Sequence, residues 1–245
     1  MKKKKNKLVI FAATFCALLF ALLLLARATG MLLYYIAPTP ANDPNIKQGD
    51  KVFTSTLKTP LPYSFVMITS KYTDSVNMAI MPDYEPGSRF LYRLCGLPGN
   101  VIEMKNGVLY VDGKNFDKKL NLDHKYVINS SDFNLIDQED IETMTVLGGG
   151  IMINRDSALV IFDSTLLNKY SSKIKSALYM MPPNLENGVF KWNNKNESWS
   201  IDNFGPLKIP HDCYFVLGDN RHNALDSRYT GFVKKENIKG VALNK

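Results

Sequence analysis

The N-terminal part of the chain contains one long, uninterrupted apolar run. Residues 8–26 hold no charged side chain and consist mostly of Leu, Ala, Phe and Val. An α-helix of this length covers roughly 28 Å, close to the thickness of the hydrocarbon core of a bilayer. The pattern predicts a transmembrane helix, and a second apolar stretch over 31–36 would place Tyr34 and Tyr35 at the membrane interface.

Beyond residue 37 the apolar positions fall into short runs separated by turn residues, which is typical of β-strands. The segment 38–48 is rich in Pro, Asn and Asp and predicts an extended or turning linker leaving the membrane. Asn106-Gly107 and Asp112-Gly113 are turn signals. No sustained amphipathic helix is expected in this outer part. Strands are predicted over 51–56, 64–69, 90–95, 101–104, 108–111, 150–154, 158–163, 214–217 and 238–243, with a short helix within 164–180.

The positive charge of the chain is concentrated at its N-terminus. The formal net charge is +7, yet 1–37 hold six basic residues and no acidic one, which leaves 24 basic against 23 acidic residues in 38–245. This balance argues against nucleic-acid binding. Lysines ahead of the apolar run favour a cytoplasmic N-terminus and an outer part beyond the membrane. A cleavable signal peptide is the alternative because Ala26-Arg27-Ala28 resembles a cleavage site, but its apolar core would exceed the usual length of about 7–15 residues.

Three ordered motifs follow the apolar run. The first, 41–50, contains Pro44 and ends in Gly-Asp; the second, 93–100, reads R-L-C-G-L-P-G-N; the third, 214–233, contains G-D-N-R-H-N-A-L-D-S-R. Together they resemble the signatures of type I signal peptidases. The resemblance implies a mainly β fold, an N-terminal transmembrane helix and a site outside the membrane.

The resemblance also implies a defined chemistry, that of a Ser–Lys dyad. A serine hydroxyl attacks the peptide carbonyl after a neutral lysine takes its proton. The ordinary lysine pKa of about 10.4 is too high for such a base, so the amine must be desolvated. A second serine orients the lysine, and another hydroxyl helps to hold the oxyanion.

The matching positions in this chain lack those functional groups. Ala41 occupies the nucleophile position, Tyr92 the general-base position and Ala224 the position of the orienting serine; Thr39 retains a candidate oxyanion hydroxyl. Losing the nucleophile of a serine hydrolase alone costs about a million-fold in turnover. We therefore expect an inactive relative rather than an enzyme.

The framework of the motifs is kept. The resemblance implies structural roles for Arg93, Gly218, Asp219, Asn220, Asp226 and Arg228. Arg93, Asp226 and Arg228 are expected to form ion pairs that brace the site. Residues 218–220 are expected to form a tight turn, either of the Asx type or with positive φ at the glycine.

The remaining candidate residues suggest little chemistry. Cys95 is expected to be a buried small hydrophobe, although a Cys95–Cys213 disulfide is an alternative outside the cytoplasm. His222 is expected in a surface loop. His124 and His211 have no partners at metal-ligand spacing, so neither a metal nor a cofactor is predicted.

The predicted organisation has three parts. Residues 1–37 form the cytoplasmic lysine tail and anchor, 38–114 with 205–245 the signal-peptidase-like β core, and 115–204 an inserted β-rich lobe. The fold class is mainly β, with an N-terminal transmembrane helix. The predicted location is single-pass in a bacterial cytoplasmic membrane, with the outer part periplasmic or extracellular.

Two functions remain in view. One is a non-cutting homologue that contacts membrane lipid through its anchor and binds exported preproteins or pilin-like peptides. The alternative is an active signal peptidase I that cleaves signal peptides, with an unrecognised nucleophile such as Ser64 or Ser227. A third reading, in which the inserted block is the working part, has no positive sign in the sequence.

Overall fold

The computed structural model describes residues 2–147, 149–181 and 199–244. The α-helices are α1 (Lys2–Ala28), α2 (Lys71–Ile80), α3 (Gln138–Val146), α4 (Ser164–Tyr170) and α5 (Ser227–Thr230), and three 3-10 turns span Asp117–Lys119, Ser130–Leu135 and Lys235–Asn237. The strands are β1 (Leu33–Ile36), β2 (Lys51–Ser55), β3 (Phe65–Thr69), β4 (Arg89–Gly96), β5 (Val101–Lys105), β6 (Val108–Val111), β7 (Lys114–Asn115), β8 (His124–Asn129), β9 (Ile151–Met152), β10 (Ser157–Phe162), β11 (Ala177–Leu178), β12 (Phe204–Lys208), β13 (Cys213–Leu217), β14 (Val233–Lys234) and β15 (Ile238–Ala242).

The strands form three antiparallel sheets. The largest has the order β1-β2-β15-β3-β4-β13-β14, and a four-stranded sheet has the order β12-β5-β6-β7. A third sheet, β11-β8-β10-β9, is built entirely from residues between 124 and 178. The prediction of a mainly β fold behind an N-terminal helix is confirmed.

The two turn signals produce the predicted tight turns. Asn106 and Gly107 have φ values of 49° and 75°, and Asp112 and Gly113 have 48° and 74°. Positive φ at both central residues is the geometry of a type I′ turn, which matches the twist of the paired strands. These turns join β5 to β6 and β6 to β7.

The apolar core is divided between the core sheets and the lobe. Leu94, Val216 and Val241 belong to one buried cluster of the large sheet, and two further clusters extend it. The third sheet buries its own cluster, which contains Val160 and Phe162. Residues 128–174 therefore contain a hydrophobic core of their own within the predicted insertion 115–204, and the described residues of that insertion are called the inserted lobe below.

The segment 38–48 forms turns, one of the two predicted forms, but it packs into the fold, so the prediction of a linker is wrong. Ile46 is completely buried, and Asn42 Nδ2 donates a hydrogen bond of 2.7 Å to the carbonyl oxygen of Leu91. Proline and asparagine are common in linkers, but here the Asp43-Pro44 peptide bond is cis and the side chains pack into the fold. Tertiary contacts thus override a composition that is typical of linkers.

Several elements were not predicted from the sequence: helices α2, α3 and α5 and strands β1, β7, β8, β11, β12 and β14. Helix α2 begins after Ser70, whose side chain accepts a hydrogen bond from the backbone N–H of Thr73, which is an N-cap contact. Helix α3 belongs to the inserted lobe. Strand β1 pairs with β2, with Tyr35 opposite Val52. The apolar stretch 31–36 therefore joins the large sheet.

Helix α1 stands apart from these cores. Its segment Val9–Ala28 has a mean hydropathy of 2.8 and buries none of its side chains in the fold. Such a helix is long and apolar enough to cross a bilayer.

Candidate active site

The three positions matched to the dyad of the resembled family lie together in one apolar cluster. Tyr92 and Ala224 are buried members of this cluster, and the half-buried Ala41 packs against it. Val66 and Leu94 complete the surroundings on the sheet. The fold therefore brings the three predicted positions together in one apolar cluster, as two methyl groups and a phenol.

The phenol of Tyr92 is engaged in a structural hydrogen bond. Its hydroxyl donates to the carbonyl oxygen of Leu225 at 2.8 Å, and the side chain is 5% exposed. Burial raises the pKa of Tyr92 far above its ordinary value, and the negative charge of Asp226 raises it further. The phenol therefore stays protonated and is a poor proton acceptor.

Gly218 owes its place to close packing and not to its backbone angles. Its φ is not positive, so that part of the turn prediction is wrong. A Cβ atom at this position would lie 2.3 Å from Ala224 Cβ and 2.4 Å from the carbonyl oxygen of Ala41. The backbone N–H of Asn220 donates to the same Ala41 oxygen at 3.1 Å. Only glycine lets the chain of the third motif approach the Ala41 segment this closely.

Buried ion pairs brace the third motif. Arg93 pairs with Asp219 through two hydrogen bonds, of 2.7 Å to Oδ1 and 2.5 Å to Oδ2. Arg228 pairs with Asp226 at 2.9 Å, and Asp226 also accepts the backbone N–H of Gly218 at 3.1 Å. The partner of Arg93 is thus a residue that the sequence had suggested only as part of a turn.

Sequence reasoning missed a third pair. Arg221 is 1% exposed and binds Asp117 through two hydrogen bonds of 2.5 and 2.6 Å. Asp117 lies 104 positions earlier in the chain. The only local signal was the arginine of the G-D-N-R motif, and nothing in the spacing identifies its partner.

An open cleft runs along the Ala41 segment. It has a volume of about 580 Å³ and is called the Ala41 cleft below. Thr39 is exposed in its wall. The lining residues come from β1 and the following segment, α2 with its loop, and the start of β4: Tyr35, Ala37, Pro38, Thr39, Ala41, Asn42, Asn77, Met81, Tyr84, Gly87, Ser88, Arg89, Phe90, Leu91 and Tyr92.

The backbone beside this cleft has strand edges. β1 is the terminal strand of the large sheet. β13 pairs with β4 only between Arg93 and Gly96, so among the described residues Arg89–Tyr92 have a strand neighbour on one side only, which is β3. Such edges present backbone donors and acceptors to an extended peptide.

His222 is buried, so its prediction as a surface residue is wrong. Its side chain is 1% exposed, and Nδ1 accepts the backbone N–H of Lys125 at 3.2 Å. Its ring lies 5.6 Å from that of His124. Burial lowers the pKa of His222 to about 2 and that of His124 to about 3, so both rings are neutral. The loop packs against the inserted lobe instead of facing solvent.

The cysteines are free thiols. Cys95 is buried, and Cys213 is half-buried in β13. The alternative of a Cys95–Cys213 disulfide is therefore not realised. Burial raises the pKa of Cys95, which fits a small apolar residue of the core better than a nucleophile.

The chain belongs to the signal peptidase family, peptidase S26, whose sequence profile matches residues 8–244. It is 25% identical over 242 residues to signal peptidase I P of Bacillus subtilis subsp. natto, covering 98% of this chain and 89% of that protein. A shorter stretch of 39 residues, 16% of this chain and 18% of the relative, is 56% identical to a probable signal peptidase I-2 of Synechocystis sp..

A solved structure of a signal peptidase I from Enterococcus faecalis is also similar. It is 21% identical, and the match covers 75% of this chain and 97% of that one with a TM-score of 0.33. The family assignment rests on the sequence profile and not on this superposition. Membership of the family and the apolar helix α1 are together consistent with a membrane-anchored protein.

Proposed function

We propose that this protein holds exported polypeptides outside the membrane without cutting them, in a secretion or assembly role. Its clients are exported preproteins or pilin-like peptides, and α1 anchors it in the lipid of a bacterial cytoplasmic membrane. Residues 38–114 and 205–245 act as the binding core. No cofactor or metal takes part in this role.

The observation that supports inactivity most strongly is the environment of Tyr92. A dyad needs a nucleophilic hydroxyl beside an unprotonated amine. Here the Ala41 and Ala224 methyl groups pack in the same cluster as the phenol of Tyr92. The hydroxyl of this phenol donates a hydrogen bond to the Leu225 carbonyl oxygen. Among the side chains that the structure describes, lysine amines donate to carbonyl and carboxylate oxygens and not to a serine or threonine hydroxyl. The hydroxyl of Thr39 could stabilise an oxyanion but cannot generate one.

Peptide binding is supported by the Ala41 cleft itself. Strand addition uses backbone hydrogen bonds for affinity and small pockets for specificity, and neither needs a dyad. The edges at β1 and at Arg89–Tyr92 supply the backbone groups, while Phe90 and Tyr92 are part of the cleft wall. A polypeptide seated there would pass directly over Ala41.

Restoring the missing groups tests the inactive state. We expect the full-length wild-type protein in liposomes to leave a preprotein with an Ala-x-Ala site uncut, and the triple variant Ala41→Ser, Tyr92→Lys, Ala224→Ser to cleave it. The single variant Ala41→Ser is the matched control and should stay inactive, because a buried phenol is no base for the new hydroxyl. Cleavage by the wild type would overturn the proposal.

An active signal peptidase is the alternative, and the names of the relatives favour it. The hydrogen bonds of its two candidate nucleophiles do not activate either hydroxyl. Ser64 Oγ donates to the Leu61 carbonyl at 2.6 Å, and the buried Ser227 Oγ accepts the N–H of Val216 at 3.1 Å. Should the wild type cleave, Ser64→Ala and Ser227→Ala would show which hydroxyl is responsible.

A further inference from the structure

A second cleft lies between residues 40–48 and the inserted lobe. It has a volume of about 380 Å³ and is called the acidic cleft below. Pro40 and Asp43 form one wall, and Met144 of α3 and Ile161 of β10 lie in the opposite wall. Neighbouring residues of one segment thus line the two clefts: Pro40 and Asp43 line the acidic cleft, and Ala41 and Asn42 line the Ala41 cleft.

Three aspartates line the acidic cleft. Asp43 and Asp123 are 6% and 3% exposed. Asp163 is satisfied, because it accepts hydrogen bonds of 2.8 Å from the backbone N–H of Leu166 and from Nδ2 of Asn121. Oδ2 of Asp123 has no hydrogen-bond partner among the described residues. A buried carboxylate oxygen without a donor is costly, so Asp123 is the group that a cationic ligand would satisfy.

Acidic side chains outnumber basic ones in the lining of the cleft. Burial raises the pKa of Asp43 to about 6 and that of Asp123 to about 7, and the neighbouring carboxylates Asp163 and Asp43 raise the value for Asp123 further. Lys47 lowers both pKa values, but among the described residues that line the cleft it is the only basic one. Because one lysine and three carboxyl groups line the acidic cleft, a second positively charged group can be accommodated there.

The remaining wall is mostly apolar. Met144, Leu147, Ile161 and Leu166 face the cleft. Apolar walls beside a carboxylate suit a side chain with an aliphatic stem and a charged head. No group of three side chains able to hold a metal ion occurs in the part of the chain that the structure describes. The chemistry therefore favours an ammonium or guanidinium group over a metal ion.

We infer that the acidic cleft binds a lysine or arginine side chain of the polypeptide held in the Ala41 cleft. This inference rests on the proposed function, since it concerns the same bound chain. An extended chain that crosses Ala41 can place a following side chain in the acidic cleft, because residues next to Ala41 and Asn42, namely Pro40 and Asp43, line that cleft. The stem packs against Met144 and Leu147, and the head donates to Asp123. The acidic cleft is then a selectivity site that favours clients with a basic residue just beyond the crossing point.

A small amine tests the cleft without reference to any polypeptide. Full-length protein labelled with ¹³C-methyl methionine is titrated in detergent with n-butylamine or with n-butanol, which has the same stem and no charge. We expect the Met144 methyl signal to shift saturably with the amine, and Asp123→Asn to weaken that response at least fivefold. Met67, buried in a different cluster, is the internal control and should not shift. Equal responses to both probes, or none at Met144, would refute a cation site.

A peptide pair tests the link to the bound chain. Two fluorescent peptides with an Ala-x-Ala segment differ only in carrying lysine or norleucine at one following position, and positions one to six are scanned. At the productive position the lysine peptide should bind at least tenfold more tightly, and Asp123→Asn should remove the difference. The exposed Asp212→Asn is the matched control and should keep it.

The outcomes separate the two proposals. If both peptides bind equally at every position, the selectivity site is wrong and the proposed function stands. If neither peptide binds, the proposed function is wrong and the peptide-selectivity role falls with it, whatever the response to butylamine.

Discussion

At the scale of single residues, the contact of Gly218 with the Ala41 segment is the tightest in the site. The Ala41 carbonyl accepts the Asn220 N–H, and this oxygen and the Ala224 methyl both lie where a Cβ atom of residue 218 would be. Backbone atoms and methyl groups therefore meet without space for another carbon. This contact holds the third motif against the first.

Gly218→Ala should be strongly destabilising. The new Cβ would overlap both Ala224 Cβ and the Ala41 oxygen, and overpacking of this severity costs about 3 kcal/mol of the free energy of unfolding. Guanidinium unfolding of the full-length protein in detergent, followed by tryptophan fluorescence, measures the loss.

Gly49→Ala is the matched control for that change. Gly49 has φ of 88°, and a methyl group at this position would meet no other atom within 4 Å, so the cost of the substitution is conformational, about 1–2 kcal/mol. A Gly218→Ala variant no less stable than Gly49→Ala would show that the packing argument is mistaken.

At the scale of elements, the buried pair Arg221–Asp117 ties the third motif to the turn that precedes β8. Asp117 also accepts the backbone N–H of Leu109 in β6 at 2.8 Å. One carboxylate thus connects a strand of the second sheet with the loop beside the candidate site.

Arg221→Met should cost about 3–5 kcal/mol, because it leaves the Asp117 carboxylate buried without its counter-charge. The double variant Arg221→Met, Asp117→Asn should recover much of this loss, since the amide is neutral and can still accept from Leu109. Lys105→Met, which breaks an exposed pair with Glu103, should change stability by less than about 1 kcal/mol. The same guanidinium unfolding assay measures these changes in stability. A double variant less stable than Arg221→Met alone would contradict the expected recovery.

Local patterns predicted the local elements well. The Asn106-Gly107 and Asp112-Gly113 turns follow from the need for positive φ at adjacent residues, and the strands around them follow from short apolar runs. Family motifs placed Ala41, Tyr92 and Ala224, and the fold brings these three side chains into one cluster. Whether they occupy catalytic positions stays a prediction.

Features that depend on contacts between residues far apart in the chain could not be predicted from the sequence. The burial of Asn42 relies on a carbonyl 49 positions away, and Arg221 relies on a carboxylate 104 positions away. His222 lies in a polar motif that reads as a surface loop, but the inserted lobe covers it. Spacing along the chain carries no information about which distant element supplies such a partner.

At the scale of the whole molecule, buried neutral histidines couple stability to pH. His222 has a folded pKa of about 2 against an ordinary value near 6.5, so the unfolded state binds a proton that the folded state does not. The stability contributed by neutral His222 is complete above pH 6.5 and is lost as the pH falls. Asp43 and Asp123 act in the opposite direction, because their raised pKa values favour the folded state at lower pH.

The contribution of His222 is isolated by comparison with His222→Gln. The free energy of unfolding of the wild type minus that of the variant should fall by about 1.4 kcal/mol per pH unit below pH 6.5. Urea unfolding at pH 7.5, 6.5 and 5.5 measures it, with the exposed His211→Gln as control. A difference that does not change with pH would mean that His222 is not held neutral.

The proposed orientation in the membrane predicts which of the three cysteine thiols a reagent outside the membrane can reach. Cys213 is half-buried in the outer part, Cys95 is 1% exposed in the core, and Cys16 lies in α1. A membrane-impermeant maleimide at pH 8 should label intact spheroplasts through Cys213 only, and Cys213→Ser should remove the label. Labelling only after lysis would indicate the reverse orientation.

The hydrogen bond from Asn220 to the Ala41 oxygen has a consequence for the history of the molecule. It joins main-chain atoms, so it is indifferent to the side chain at residue 41. A lineage could exchange alanine and serine there by point mutation while the surrounding architecture remains in place. Under the proposed function, recovery of hydrolysis would also need the changes at residues 92 and 224, but the scaffold itself would outlast the reaction in either direction.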